Sequence, residues 1–458
     1  MATFFSPFQI QLGLGAVPLQ VREACDRSAR SLTTDSRQIQ AGDIFLALRG
    51  DRFDGHDFVA QALADGAIAA IVDAAYQPPS DLPAGHLLQV PNTLWAYQEI
   101  ARLWRQRCPL PLIGITGSVG KTTTKELIAA MLAVRGPVLK TEANYNNEIG
   151  VPKTVLQIDP DQHWAAVLEM GMRGRGQIAE LARIAQPNIA VITNVGTAHI
   201  GLLGSEQAIA EAKCELLAQL SGTGLAILNA DNPRLIATAS RLQLPRCRTY
   251  GLQSGDLQGQ LLDPETLIVE GQRFHLPLPG AHNALNFLAG LAIAQELGLD
   301  WDAFQNLTVT LPQGRARRLE LSPDIVLLDE TYNAGLESML AALQLLADTP
   351  GQRCIAVLGT MKELGDFSET YHRQVGEKAA ALGLDRLFIY ADPSEAAAMQ
   401  AGAAAIATQI FTSADDLVAE LLETVEPGDR LLFKASRSVA LDRVLADFVA
   451  AYSTTLTT

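Results

Sequence analysis

The stretch PLIGITGSVGKTTTKELIAAML, from Pro111 to Leu132, gathers the residues of this chain best suited to chemistry. PLIGIT reads as a buried strand, GSVGK as a turn, and TTTKELIAAMLAV as a helix with Leu127, Ile128, Met131 and Leu132 on one stripe. At such a junction, free backbone N–H groups and the positive end of the helix dipole point to one place, which suits an anion. Gly117 and Gly120 let the backbone approach a phosphate, Lys121 adds a cation, and Thr122 offers a hydroxyl suited to Mg²⁺. Ser118 and Thr123 complete the residues expected to line the nucleotide phosphates. The commonest form of this loop carries a glycine five residues before Gly120, where this chain has Ile115. A purely structural glycine turn is the plain alternative. The Gly-Lys pair followed by three threonines, between strand and helix, argues against it.

Further reactive types fall at matching places. Glu169 ends the apolar run WAAVLEM, and His199 follows NIAVITNV. In α/β sheets, ligands collect at such carboxyl ends of strands. Glu169 and Thr122 are both hard oxygen donors of the kind Mg²⁺ prefers. Lys213 sits in EAKCE, where the bland reading is a helix-surface lysine paired with Glu211 or Glu215. Asn144, Asn146 and Asn147 lie in TEANYNNEIGVP, where turn chemistry and ligand contact are both open.

The elements that must hold these residues read as α/β throughout. LIGIT, WAAVLEM, NIAVITNV and GLAILNA alternate with helices, and strands apolar on both faces signal a parallel sheet covered on two sides. DIVLLDE, CIAVLGT, RLFIYAD and RLLFKAS repeat that logic, each followed by a helix candidate, as in a second doubly wound domain. Before them, IFLAL and AIAAIVD flank a helix-like stretch. We therefore expect three domains, at 1–95, 96–314 and 315–458. A length of 458 residues is too great for one core. The polar tail YSTTLTT is expected to fray.

Composition narrows the function classes. A net charge of −15 argues against broad nucleic-acid binding, which needs a basic face. The five cysteines are scattered without metal-ligand spacing, which suits a reduced compartment. No signal peptide and no run of about 20 apolar residues is evident, so a cytoplasmic protein without a membrane span is expected.

The loop TGSVGKTT resembles the ATP loop of the Mur ligase family, and other stretches are similar to that family in the same order. They are TEANYNNEIGVPKTVL, VLEMGMRGRGQI, VITNVGTAHIGLLGS, EAKCE, GAHNALN, GRARRLE and LLDETYNAGLESM. DSRQIQAGDIFLALRGDRFDGHDF, VLGTMKELGDFSETYHRQVG and LLFKASRSVALDRV are most similar to the branch that adds D-alanyl-D-alanine to UDP-N-acetylmuramoyl-tripeptide. The likeness covers nearly all of residues 30–445. The chain departs from the family at Gly335-Leu336, usually Asn-Pro, and at Ala435, usually Gly. ADNPR at 230–234 resembles a motif of the diamino-acid-adding branch, but that motif belongs to the third domain.

The resemblance implies an N-terminal nucleotide-sugar domain, a central phosphate-loop ATPase domain and a C-terminal Rossmann-like domain. It implies a monomeric ATP-dependent ligase of peptidoglycan precursor synthesis working through an acyl phosphate. In that reading Lys121 neutralises the β- and γ-phosphates, and Thr122 and Glu169 bind one Mg²⁺. His199 and a carbamylated Lys213 bind a second. Asn283 contacts the base, Arg315 the phosphates and Asp329 the ribose hydroxyls, while Tyr332 borders the adenine. Asn144, Asn146 and Asn147 face the substrate and the reacting phosphate. Ser36, Arg37, His56 and Asp57 are the nucleotide-sugar candidates, and Lys434 and Arg437 contact the incoming dipeptide. The third domain is expected to close through a hinge near Gly314. Competing readings are a diamino-acid-adding ligase, a folate polyglutamate ligase, a regulatory P-loop ATPase and a catalytically dead scaffold.

Overall fold

The computed structural model describes residues 4–15, 17–20, 27–50, 53–82 and 86–455, arranged as α/β layers on three sheets. The first sheet has five strands in the order Val17–Gln20, His86–Val90, Ala69–Asp73, Ile44–Leu46 and Leu32–Thr33. Only its first pair is antiparallel. The helix Thr93–Gln106 straddles the boundary drawn at residue 95. It carries Ala96, Ile100 and Trp104 into a core shared with Phe4, Phe5 and Ile10.

The central sheet has nine strands. Seven run parallel, in the order Leu257–Asp263, Arg246–Gly251, Leu225–Asn229, Ile189–Ile192, Leu112–Thr116, Ala165–Glu169 and Val138–Lys140. Thr266–Val269 and Gln272–His275 extend it as an antiparallel ribbon. The four strands from Arg246 to His275 are absent from the reading of apolar runs. Leu257–Asp263 buries only alternate side chains at its start, and the last strand, QRFH, is mostly polar. Strand Leu112–Thr116 is fully buried and lies where the winding reverses: the chain fills one side of it through Glu169, then the other from Ile189. A crevice opens at the carboxyl end of such a strand. The glycine turn falls there. Beyond it, helix Lys121–Leu132 buries the expected stripe Leu127, Ile128, Met131 and Leu132, partly against helix Ala281–Glu296.

The third sheet runs Arg317–Leu321, Ile325–Glu330, Asp429–Lys434, Arg353–Gly359, Arg386–Tyr390 and Ala407–Ile410, parallel except for its first strand. The last strand returns between the second and the third in sequence. Gly314 joins this domain to the central one with φ +76°, and its carbonyl accepts the Tyr332 N–H. The helix Leu441–Thr455 absorbs the beginning of the tail expected to fray. No helix among the described residues is long and apolar enough to cross a membrane. Cys108, Cys214, Cys247 and Cys354 are free thiols, and Cys25 lies outside the described residues.

Candidate active site

A cavity of about 330 Å³ lies between the carboxyl edge of the central sheet and the third domain. The phosphate loop forms its floor and is held by the neighbouring strand end. Thr193 Oγ1 donates to Val119 O (2.7 Å), the Val119 N–H donates to Asn194 Oδ1 (3.0 Å), and Ser118 Oγ accepts the Gly196 N–H (2.9 Å). A side chain at Gly117 would place its Cβ 1.9 Å from Thr193 Oγ1, and Gly120 has φ +80°. Both glycines are thus required by the protein's own packing as well as by access for a ligand. Lys121 Nζ folds back on the Gly117 and Ser118 carbonyls, at 2.7 and 3.2 Å.

Cations converge on this space. Burial pushes the Lys121 ammonium below its ordinary pKa, Glu169 opposes that, and Arg315 adds to it. Burial also lowers Lys434, with Glu330 opposing and Arg315 assisting. Arg315 lies 3.9 Å over the Tyr332 ring, and its buried Nε has no hydrogen-bond partner among the described residues. All three cations line the cavity. A polyanion placed among them would relieve both the repulsion and the cost of burial.

At the next position a carboxylate meets a hydroxyl. Thr122 Oγ1 donates to Glu169 Oε2 at 2.7 Å, and Asn146 Nδ2 donates to Glu169 Oε1 at 2.8 Å. The Glu169 N–H is taken by Thr141 Oγ1 at 3.0 Å, which fixes the strand end. Two hard oxygen donors side by side, beside a phosphate loop, fit a divalent cation such as Mg²⁺. The asparagine loop divides its labour. Asn146 reaches the site, Asn147 Oδ1 accepts the Gly150 N–H at 2.9 Å at the start of helix Gly150–Leu156, and Asn144 is exposed.

Lys213 overturns its bland reading. It is 1% exposed, and no carboxylate pairs with it among the described residues. Glu215 accepts the Gly176 and Ala179 N–H groups, and Glu211 pairs with Arg175. Burial drives the Lys213 ammonium well below its ordinary pKa, Lys121 pushes the same way, and Glu337 pulls back. Burial beside a second cation thus disfavours the charged form of this side chain. An unmodified ammonium there does not fit a cation site, whereas a carbamate would.

His199 sits at φ +68°, with Nδ1 2.5 Å from Glu363 Oε2 but outside hydrogen-bond alignment. Burial lowers its pKa, Glu363 opposes, and Lys121 and Lys213 assist.

Several expected contacts lie elsewhere. The Asp329 carboxylate is turned to the Thr331 N–H and hydroxyl and does not line the cavity, whereas the neighbouring Glu330 does and accepts the Ala316 N–H at 3.1 Å. Strand alternation points the two carboxylates to opposite faces. Arg437 is exposed and paired with Asp442, outside the cavity, while Lys434 lines it and donates to Asn333 O at 3.1 Å. Asn283 and His282 both line it, and Tyr332 does so by stacking on Arg315.

In the first domain, His56 is buried, and both ring nitrogens are engaged. Nδ1 lies 2.6 Å from Asp54 Oδ1, and Nε2 accepts the Asp73 N–H at 2.9 Å. Both contacts brace the fold of this domain. Arg37 pairs with Asp35 at the surface, Ser36 is half-buried beside it, and Asp57 is exposed. Sequence reasoning missed Asn194, Glu330 and Glu337. Asn194, a polar residue closing the apolar strand run NIAVITNV, carried the same signal as Glu169. Glu337 carried none.

A parallel α/β domain with a phosphate loop at its reversal point, covered by a second doubly wound domain, defines a nucleotide-phosphate-binding protein. Three family profiles match the chain: the Mur ligase family catalytic domain at residues 29–104, the Mur ligase middle domain at 115–294, and the Mur ligase glutamate ligase domain at 314–437. The chain belongs to the Mur ligase family. It is 56% identical to UDP-N-acetylmuramoyl-tripeptide–D-alanyl-D-alanine ligase of Synechocystis, over 98% of this chain and 99% of that protein. It is 36% identical to the enzyme of the same name from Bacillus subtilis, over 91% and 93%. Among solved structures it is similar to MurF of Acinetobacter baumannii, with a TM-score of 0.86 at 30% identity, covering 97% of this chain and 98% of that one. MurF of Thermotoga maritima in complex with ADP gives 0.80 at 30% identity, covering 93% and 98%.

Proposed function

We propose that this chain joins D-alanyl-D-alanine to UDP-N-acetylmuramoyl-tripeptide at the expense of ATP in peptidoglycan precursor synthesis. It is an ATP-dependent carbon–nitrogen ligase. A carboxylate is a poor electrophile, so its oxygen first takes the γ-phosphoryl group of ATP and ADP departs. The amine of the dipeptide then attacks the acyl phosphate, the amide forms, and phosphate leaves with release of a proton. Transfer between two anions is mainly a matter of positioning and charge neutralisation. The residues of the cavity have that character: Lys121, Arg315 and Lys434 bring positive charge, and no serine or cysteine nucleophile is needed.

The observation that carries this reading is the chain of contacts Thr122–Glu169–Asn146. It ties the phosphate loop to the asparagine loop, which supports a single site serving both the ATP phosphate and the carboxylate that receives it. Thr122 and Glu169 would hold one Mg²⁺, which supplies charge neutralisation on the phosphates. His199 and Lys213, the latter as a carbamate, would hold a second. Glu330, whose carboxylate lines the cavity, takes the ribose hydroxyls in place of Asp329. Asn283 and Tyr332 border the base. The likeness of 56% to a relative of that name over almost the whole chain supports the choice of substrates over those of the other branches. Phosphate release from ATP is expected only when both UDP-muramoyl-tripeptide and D-alanyl-D-alanine are present. Equal release with neither would sink the reading.

A further inference from the structure

The loop 195–201 carries His199 and is gripped from two sides. From the central domain, Ser118 Oγ accepts the Gly196 N–H and Asn232 Nδ2 donates to Val195 O at 2.9 Å. From the third domain, Glu337 Oε1 accepts the Thr197 N–H at 2.7 Å, and the Thr197 hydroxyl reaches Glu337 Oε2 at 3.3 Å. Glu363 presents its carboxylate to His199, and its carbonyl accepts the Gly201 N–H at 3.1 Å. Glu363 and His199 both hold left-handed backbone, at φ +65° and +68°, although neither is glycine. Such strain persists only where surrounding contacts enforce it. A Cβ on Gly196 would lie 2.4 Å from the Glu337 carboxyl carbon, so the Glu337 carboxylate occupies the space a side chain at 196 would need.

We infer that Glu337 is a positioning residue for the ligation reaction: from the third domain it holds the Thr197 amide, and so sets the loop that presents His199 beside Lys213 and the phosphate loop. Docking of the third domain then builds part of the catalytic face as well as covering the nucleotide. Glu337 is suited to this place. It lies in the first turn of helix Leu336–Asp348, where the dipole favours a carboxylate, and its charge also faces the buried Lys213. This inference rests on the proposed ligase reading for its purpose, but its contact can be tested without turnover.

Hydrogen–deuterium exchange on the full chain, free of nucleotide and metal, reads the Thr197 amide directly. Glu337→Ala is expected to speed exchange in the segment 195–201 by about tenfold, the loss of one net hydrogen bond. Glu337→Gln keeps an acceptor oxygen at the same reach and stays near wild type. In the alanine variant the Mg²⁺ concentration that half-saturates binding of a non-hydrolysable ATP analogue rises by about tenfold. Should the alanine variant fail to fold, Gly196→Ala expels the carboxylate from the other side and must accelerate the same segment. Unchanged exchange in the alanine variant overturns the inference. So does a glutamine variant as fast as alanine, or faster exchange spread equally through strand Ile325–Glu330. If wild-type protein released phosphate without either substrate, the ligase reading would fall while the exchange result stood.

Discussion

The phosphate loop and the N-terminal loops around residues 35–57 both offered charged residues at plausible spacing, yet the structure treats them differently. Around the phosphate loop, the cations face a cavity with part of their capacity unspent: among the described residues Arg315 Nε is buried without a hydrogen-bond partner, and Lys121 Nζ donates to the Gly117 and Ser118 carbonyls. In the N-terminal loops, Arg37 is matched by Asp35, and His56 by Asp54 and the Asp73 amide. Buried groups satisfied within the chain brace it, whereas buried charge left short of partners marks where a ligand completes the set.

That contrast can be broken by substitution. The largest effect is expected at Lys121→Ala, which should lower kcat by about 10²–10³-fold with the fold intact by circular dichroism. Untouched turnover would remove the phosphate loop from the chemistry. Lys213→Ala should lose about 10–100-fold, and acetate or formate should restore part of it if a carbamate normally stands there. A folded variant deaf to those acids would discard the carbamate. His56→Ala should do the reverse of Lys121→Ala: urea denaturation should show about 1–3 kcal/mol of lost stability from unsatisfied partners, with kcat kept. A normal melting curve with a raised KM for the nucleotide-sugar would return His56 to the substrate side.

The smallest effect concerns His372, another satisfied histidine. It is fully buried, Nε2 accepts the Met361 N–H at 2.9 Å, and Nδ1 lies 2.7 Å from Ser368 O. Burial lowers its pKa, against the raising influence of Ser368, Glu395 and Asp392, while Lys362 helps to lower it. The unfolded chain thus binds its proton first as the medium is acidified. Its contribution is complete above the ordinary histidine value of about 6.5 and is lost as pH falls through the depressed native value. Melting temperature should fall less steeply below about pH 6.5 in His372→Gln than in wild type. Parallel slopes would show that His372 does not titrate on unfolding.

What was legible in the sequence follows from range. The strand, glycine turn and helix of residues 111–132 are a local signal, and Glu169 at the end of a buried strand needed only strand length to be placed. Leu336, one of the departures from the family pattern, is buried, and Ala435 packs against Gly359, which has no side chain to clash. Those departures are accommodated by packing. Strand Ala407–Ile410 is largely exposed, so it lacks the apolar run that revealed its neighbours. Glu337 and Glu363 reach the site across a domain boundary, and no spacing along the chain encodes that. Asp329 and Glu330 are adjacent, and only the strand's orientation decides which of them faces the cavity.

In the proposed reaction the carboxylate of the stem peptide takes the γ-phosphoryl group directly. UDP-muramoyl-tripeptide labelled with ¹⁸O in its terminal carboxyl group, turned over with ATP and D-alanyl-D-alanine, tests it by mass spectrometry of the released phosphate. One labelled oxygen should appear in phosphate for each amide formed. Phosphate free of label, with amide accumulating, would contradict the account.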